Sequence, residues 1–192
     1  MSATARSNLQ TIARAIDDVA ATVARMREFY RQREPQLSHR ALSLNQLVQQ
    51  VAELTRARWS DMPQQRGAVI DLRTELDPDL PAVFGVESEV REALTNLVFN
   101  AVDAMPDGGV LTLRTRSTGP PGAAARHAVV EVADTGVGMD EDTRRRCLEP
   151  FFTTKGERGT GLGLAMVYGV SQRHGAEAVS YTHLTLPTIY SV

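Results

Sequence analysis

The sequence predicts an α+β protein: a two-layer sandwich of a mixed β-sheet and helices, preceded by a long coiled-coil-like helix. Three observations carry this. Residues 6–34 contain neither Pro nor Gly and repeat apolar residues in steps of three and four. From residue 68 onward, short runs of period-two alternation take turns with stretches of helical periodicity. Two neighbouring strand-like runs are joined by a Gly- and Pro-containing loop and therefore pair as a hairpin.

Along the first helix, Leu9, Ile12, Ile16, Val19, Val23, Met26 and Tyr30 form a seam that one helix cannot bury alone. It needs a hairpin partner, a second copy of the chain, or its own domain. Pro35 stops it. Ser43–Arg58 reads as a shorter helix with Leu44, Leu47, Val48, Val51 and Leu54 on one face, and Pro63 and Gly67 break the chain after it. Val69–Arg73 reads as a strand and Asp77, Pro78 and Pro81 as a turn region. Glu87–Met105 is a helix closed by Pro106, Asp107, Gly108 and Gly109. Val110–Arg116 and Ala128–Ala133 are the alternating strands around the Gly119–Gly122 loop. Helices over Asp140–Leu148 and about Gly163–His174 complete the pattern. Four segments result: 1–35, a connection over 36–67, a domain over 68–178, and a tail over 179–192.

Composition narrows the function. Of 192 residues, 42% are hydrophobic and 23% charged, which is ordinary for a globular protein and excludes disorder throughout. A net charge of −2 gives no general attraction to nucleic acid. Cys147 stands alone, so it forms no internal disulfide or cysteine-rich zinc site and reads as a small buried hydrophobe in a reducing compartment. No run is long enough to span a membrane and no signal peptide is visible, so the expected address is the cytoplasm. All basic residues but Lys155 are arginine.

On a 100° wheel, Val90, Leu94, Leu97, Val98, Ala101 and Met105 share one face of the 87–105 helix. Glu92, Asn96, Asn100 and Asp103 gather within about 80° on the opposite face. Solvated helix faces favour Glu, Lys, Arg or Gln over Asn, and Phe99 beside the stripe gains nothing from solvent, so the face reads as a site. Amide oxygens suit Mg²⁺ where phosphates already bring the negative charge. Asp134-Thr135-Gly136-Val137-Gly138 ends a strand, where a carboxylate can accept from the exocyclic amine of adenine and glycine lets a base approach. Gly159-Thr160-Gly161-Leu162-Gly163-Leu164 opens the last helix, whose free N–H groups and dipole suit phosphates. Lys155, in Pro150-Phe151-Phe152-Thr153-Thr154-Lys155 between the two glycine segments, reads as a phosphate contact.

Together, Glu92-x-x-x-Asn96-x-x-x-Asn100-Ala101, Asp134-x-Gly136-x-Gly138, Glu149 to Lys155 and Gly159 to Leu164 resemble the N, G1, F and G2 boxes of two-component sensor histidine kinases. The resemblance covers roughly residues 44–177. It implies the Bergerat-type ATP-binding fold shared with DNA gyrase, the mismatch-repair ATPase and the heat-shock chaperone. By it, Asn100 coordinates Mg²⁺, Asn96 lies near the phosphates with Asp103 on the same face, and Asp134 reads adenine. Gly136 and Gly138 shape the adenine pocket. Residues 152–160, with Phe152, Thr153, Thr154, Lys155 and Thr160, form a lid, and Gly159, Gly161 and Gly163, flanked by Leu162 and Leu164, admit the phosphates. Glu92 takes the place of the acidic residue that assists transfer, with Asn96 as its catalytic neighbour.

The resemblance further implies ATP and Mg²⁺ as cofactors, a homodimer through a helix hairpin, and a response regulator receiver domain as partner. Residues 1–35 resemble the second hairpin helix, with the first, histidine-bearing helix missing. His39, His127 and His174 read as ordinary, so the chain is expected to supply the ATP-binding half of a phosphotransfer and not to phosphorylate itself. An ATPase machine of the gyrase or chaperone type and a non-catalytic nucleotide-binding module stay open as alternatives. The tail departs from the family: Val179 to Thr188 looks like one reading frame of a transposon-based sequencing adapter, so residues from 179 are expected to be non-native and the native sheet truncated, although Thr182–Leu186 is β-prone enough to pair there.

Overall fold

Ser43 starts the helix over Leu44–Leu54 because its Oγ accepts the Gln46 N–H at 3.4 Å, supplying a partner that the helix itself lacks. This computed structural model describes residues 39–65, 67–118, 127–156, 159–178 and 185–191. Its elements run β1 (Arg40–Leu42), α1 (Leu44–Leu54), a π-helical turn (Ala57–Asp61), α2 (Met62–Gln64), β2 (Ile70–Leu76), β3 (Val83–Gly85), α3 (Glu87–Ala104), β4 (Gly109–Thr118), β5 (His127–Asp134), α4 (Glu141–Arg146), α5 (Gly163–Arg173), β6 (Glu177–Ala178) and β7 (Thr185–Ser191). The coiled-coil helix expected over residues 6–34 lies outside the described residues.

The main sheet has the order β2-β4-β5-β7-β6. β2 runs parallel to β4, while β4–β5, β5–β7 and β7–β6 are antiparallel, so the sheet is mixed. Register follows the alternation along β4: Leu113 opposite Val132 and Thr115 opposite Val130 face the helices, and Arg114 opposite Glu131 faces the other way. The inward set packs with Val90, Leu94, Leu97, Val98, Ala101 and Met105 of α3, the apolar face expected from the wheel, and with Leu44, Leu47, Val48 and Val51 of α1. On the outer face Arg114 bridges Glu75 and Glu131, both at 2.6 Å. β1 and β3 form a separate two-stranded antiparallel pair that brings Leu42 and Val83 into the same core. Residues read as a connecting segment thus contribute a strand and a helix to the packed unit, which spans His39–Val192.

Thr115 is the one buried hydroxyl of β4, and it both donates and accepts. Its Oγ1 donates to Asn45 Oδ1 at 2.6 Å and accepts the Asp77 N–H at 3.0 Å. Asn45 Nδ2 donates to Asp77 O at 2.8 Å, which ties α1 to the end of β2. The three histidines read as ordinary have structural surroundings. His174 is buried beside α3, its Nε2 accepting the Val86 N–H at 2.9 Å and its Nδ1 facing Val170 O at 2.9 Å. His39 stacks on Phe84 with ring centroids 5.8 Å apart, and His127 is the exposed first residue of β5.

The β-prone tail does pair on the sheet: Thr185–Ser191 lies against β5 as β7. Pro187 lies opposite Glu131 in that ladder.

Thr115→Val keeps the volume and removes the hydroxyl, taking away the donor to Asn45 Oδ1 and leaving the Asp77 N–H to the Thr115 carbonyl at 3.3 Å. Urea unfolding is expected to report a loss of about 1–3 kcal/mol; an unchanged midpoint would contradict this role.

Candidate functional site

Placing one face of α3 in the core necessarily turns the other outward, where a cleft of about 480 Å³ opens. Asn96 and Asn100 are half-buried along it, and Asp103 joins them one turn on. Opposite stands Asp134, at the end of β5, lining the same cleft. The two halves are held together at the C-terminus of α3. Val137 N–H donates to Ala104 O at 2.9 Å, and a Cβ on Gly136 would lie 2.3 Å from that same oxygen. Glycine at 136 is therefore what lets the loop after β5 touch the helix.

Asp134 Oδ1 accepts the Gly136 N–H at 2.9 Å. Burial pushes its carboxyl up to about 6, and the Gly136 hydrogen bond offsets part of that. The group is thus ionised above about pH 6 and protonated below it.

The third wall comes from Phe152–Lys155 and from the glycine segment Gly159–Leu164. Phe151 N–H donates to Gly161 O at 2.9 Å, and a Cβ on Gly161, at φ +65, would sit 2.3 Å from the Phe151 carbonyl carbon. The aromatic segment and the glycine segment are thereby folded onto one another, with Phe151 itself at φ 67. Arg146 covers the Phe152 ring at 4.3 Å. Gly163, the first residue of α5, faces the asparagines: a Cβ there would lie 3.5 Å from Asn100 Nδ2 and 3.7 Å from Asn96 Oδ1. The N-cap residue Leu162 makes no side-chain cap, so the first N–H groups of α5 are left for a ligand beside the two amides. Lys155 Nζ donates to Asn100 Oδ1 at 3.0 Å and to Asp103 Oδ2 at 2.8 Å.

The structure therefore brings Asn96, Asn100, Asp103, Asp134, Gly138, Phe152, Thr153, Thr154, Lys155, Gly159, Thr160, Gly161, Gly163 and Leu164 to one cleft. Three expected residues are not in its lining. Gly136 serves the contact with Ala104, Leu162 is the residue before α5 and supplies no cap, and Glu92 is exposed on α3 one turn before Asn96, beyond the cleft. Sequence reasoning missed the apolar wall of Val132, Val137, Met139, Thr143 and Cys147. Cys147 is buried, as expected, but its wall position had no signal in the sequence. Among the described residues no group of three or more His, Cys, Asp or Glu side chains could hold a metal. The oxygens of Asn100 and Asp103 do converge on a cation, the Lys155 ammonium, so this pair fits a hard divalent ion that takes its remaining ligands from phosphate and water.

An acid at a strand end, an amide-bearing helix and an uncapped helix N-terminus thus surround one cleft on an α+β scaffold. Residues 85–188 match the family model described as "Histidine kinase-, DNA gyrase B-, and HSP90-like ATPase". Sensor kinase CckA of Brucella abortus is 42% identical over 119 residues, covering 57% of this chain and 13% of its own length. Full-length ShkA, solved in complex with AMPPNP, has a TM-score of 0.63 and 26% identity, covering 100% of this chain and 39% of that one. The catalytic domain of histidine kinase ThkA has a TM-score of 0.64 at 24% identity, covering 81% of this chain and 97% of that one. ThkA is also described in complex with response regulator protein TrrA, where the likeness has a TM-score of 0.59 at 19% identity, covering 100% of this chain and 52% of that one.

The chain belongs to this ATPase family, and what it carries is the ATP-binding region of a sensor histidine kinase.

An ionised carboxylate accepts from an amine more strongly than a protonated one, so binding that depends on Asp134 is present above about pH 6 and weakens as the pH falls through it. With adenosine, which carries no titrating phosphate, affinity measured by NMR is expected to rise about fivefold between about pH 5 and about pH 7.5. Asp134→Asn should abolish the pH dependence; a profile identical to wild type would remove Asp134 from base recognition.

Proposed function

We propose that the cleft holds Mg·ATP for transfer of the γ-phosphoryl to a histidine on a helix hairpin, for relay to a response regulator. The convergence of Asn100 and Asp134 on one cleft is the observation that carries this reading. In it, Asp134 accepts the adenine amine. The N–H groups at the start of α5 and the Lys155 ammonium meet the phosphates. Asn100 offers its amide oxygen to the Mg²⁺, which when bound offsets phosphate charge, and Asn96 lies near the phosphates. Glu92, exposed beyond the cleft, is reachable by an incoming histidine and takes up or directs its proton. The imidazole nitrogen forms a bond to the γ-phosphorus as the bond to the bridging oxygen breaks, and ADP leaves. Most of the assistance is positioning and charge stabilisation.

The likeness to ThkA, which is described with a response regulator, supports that partner class. Homodimerisation through the N-terminal helix rests on its apolar seam. Among the described residues no helix is long and apolar enough to cross a membrane, and a cytoplasmic setting fits a domain that uses ATP.

Residues 179–192 are, in the same proposal, not native. Beyond the resemblance of Val179 to Thr188 to an adapter, Pro187 supports this: β7 is an interior strand, where proline forfeits a ladder hydrogen bond. Source DNA that reads without interruption through Tyr181 to Thr188 would refute it.

The function is tested by titrating a non-hydrolysable ATP analogue with and without Mg²⁺. Asp134→Ala is expected to weaken binding at least about tenfold, the loss of one charged hydrogen bond. Asn100→Ala should remove the Mg²⁺ dependence. A hairpin helix bearing an acceptor histidine should then gain phosphate from ATP. Unchanged binding in both variants would remove the site, hydrolysis without a hairpin would favour an ATPase machine, and binding without transfer would favour a non-catalytic module.

A further inference from the structure

Lysine can only donate hydrogen bonds, so the atoms facing its ammonium must be acceptors. Lys155 Nζ has two such partners on α3: Asn100 Oδ1 at 3.0 Å and Asp103 Oδ2 at 2.8 Å. The two residues are three apart on one helix, which places them on the same face. A carboxylate oxygen and an amide oxygen turned toward a common cation are the hard donors that a divalent ion also selects.

Asp103 is held for this role from its other side. Its Oδ1 accepts from Arg58 Nη2 at 2.6 Å. Arg58, on the π-helical turn, lies 5.7 Å from the centroid of the Phe99 ring, and its Nε is buried without a hydrogen-bond partner. The guanidinium is thus fixed by packing and by Asp103, and the carboxylate it grips keeps one oxygen turned to the cleft. By sequence Lys155 reads as a phosphate contact and Asn100 as the metal ligand.

We propose that Lys155 and the divalent cation of the nucleotide compete for one oxygen pair, Asn100 Oδ1 and Asp103 Oδ2, with Asp103 a cation-holding residue positioned by Arg58. The proposal rests on reading the cleft as a Mg·ATP site. Ammonium and metal cannot occupy the pair together: entry of the ion sends Lys155 to another anion, and the phosphates are the anions at hand. Lys155 therefore changes partners on nucleotide binding, and its departure is part of the cost of loading the metal. The Lys155 and Asp103 side chains are 39% and 31% exposed, so the pair is screened and the exchange is a matter of a few-fold, not of orders of magnitude.

Mn²⁺ alone, titrated into the full chain and followed by paramagnetic broadening of the Asn100 side-chain amide, tests this. Lys155→Met is expected to raise Mn²⁺ affinity about two- to fivefold, the size of a screened ion pair. Asp103→Asn should lower it by a similar factor. Arg73→Met, which removes the same charge beside Asp71 on β2, should leave it unchanged. Circular dichroism confirms that each variant folds, and Asp103→Ser serves if Asp103→Asn does not. The proposal is overturned if Lys155→Met has no effect or only the effect of Arg73→Met. It is equally overturned if Asp103 can be replaced without loss, or if no form broadens Asn100. Binding of the ATP analogue by the wild-type chain is measured separately, and its failure would count against the nucleotide reading, whatever Mn²⁺ does.

Discussion

Everything in the site depends on one close contact, between the last turn of α3 and the loop after β5. Ala104 O accepts the Val137 N–H, and Gly136 passes so near that oxygen that no side chain fits between them. Helix and sheet are covered by the same core, but burial alone does not fix how far the helix end stands from the strand end. The contact does. It sets Asn100, one turn back along α3, across the cleft from Asp134, two residues before Gly136. A Gly136→Ala change would therefore push the end of α3 away from the end of β5 through a residue outside the cleft lining.

A second closure works the same way on the opposite wall. Gly161 and Phe151 meet backbone to backbone, which ties the aromatic segment to the start of α5. The uncapped N-terminus of that helix then lies over Asn96 and Asn100, so partial positive charge, two amides and the lysine all face one volume. The site is polar at this end and apolar toward Val137, Met139 and Cys147, a division that matches phosphates at one end of a ligand and a base at the other.

Much of this was legible in the sequence, and for identifiable reasons. The 3.6-residue period of α3 named both its core face and its polar face, because a long helix samples its environment many times. Strands β4 and β5 announced themselves by alternation. The β1–β3 pair did not, since three residues carry no period. Nor did the π-helical turn, where the expected helix ran on to Arg58, the residue that in the structure grips Asp103. The motif glycines were read as making room for a ligand; for Gly136 the neighbour is Ala104, a pairing of distant residues that spacing cannot reveal. The apolar wall around Cys147 was invisible for the same reason. Glu92 shares the helical face of Asn96, yet the cleft ends before reaching it, and a wheel has no axial coordinate.

The central claim is that an amide on α3 and an acid at the end of β5 serve a single ligand. It is tested most directly by following an ¹⁵N-labelled chain during titration with Mg²⁺ and a non-hydrolysable ATP analogue. The account predicts that the Asn100 side-chain amide and the backbone N–H groups from Asp134 to Gly138 shift together, along curves that share one dissociation constant. Shifts confined to one of the two, or two unrelated constants, would contradict it.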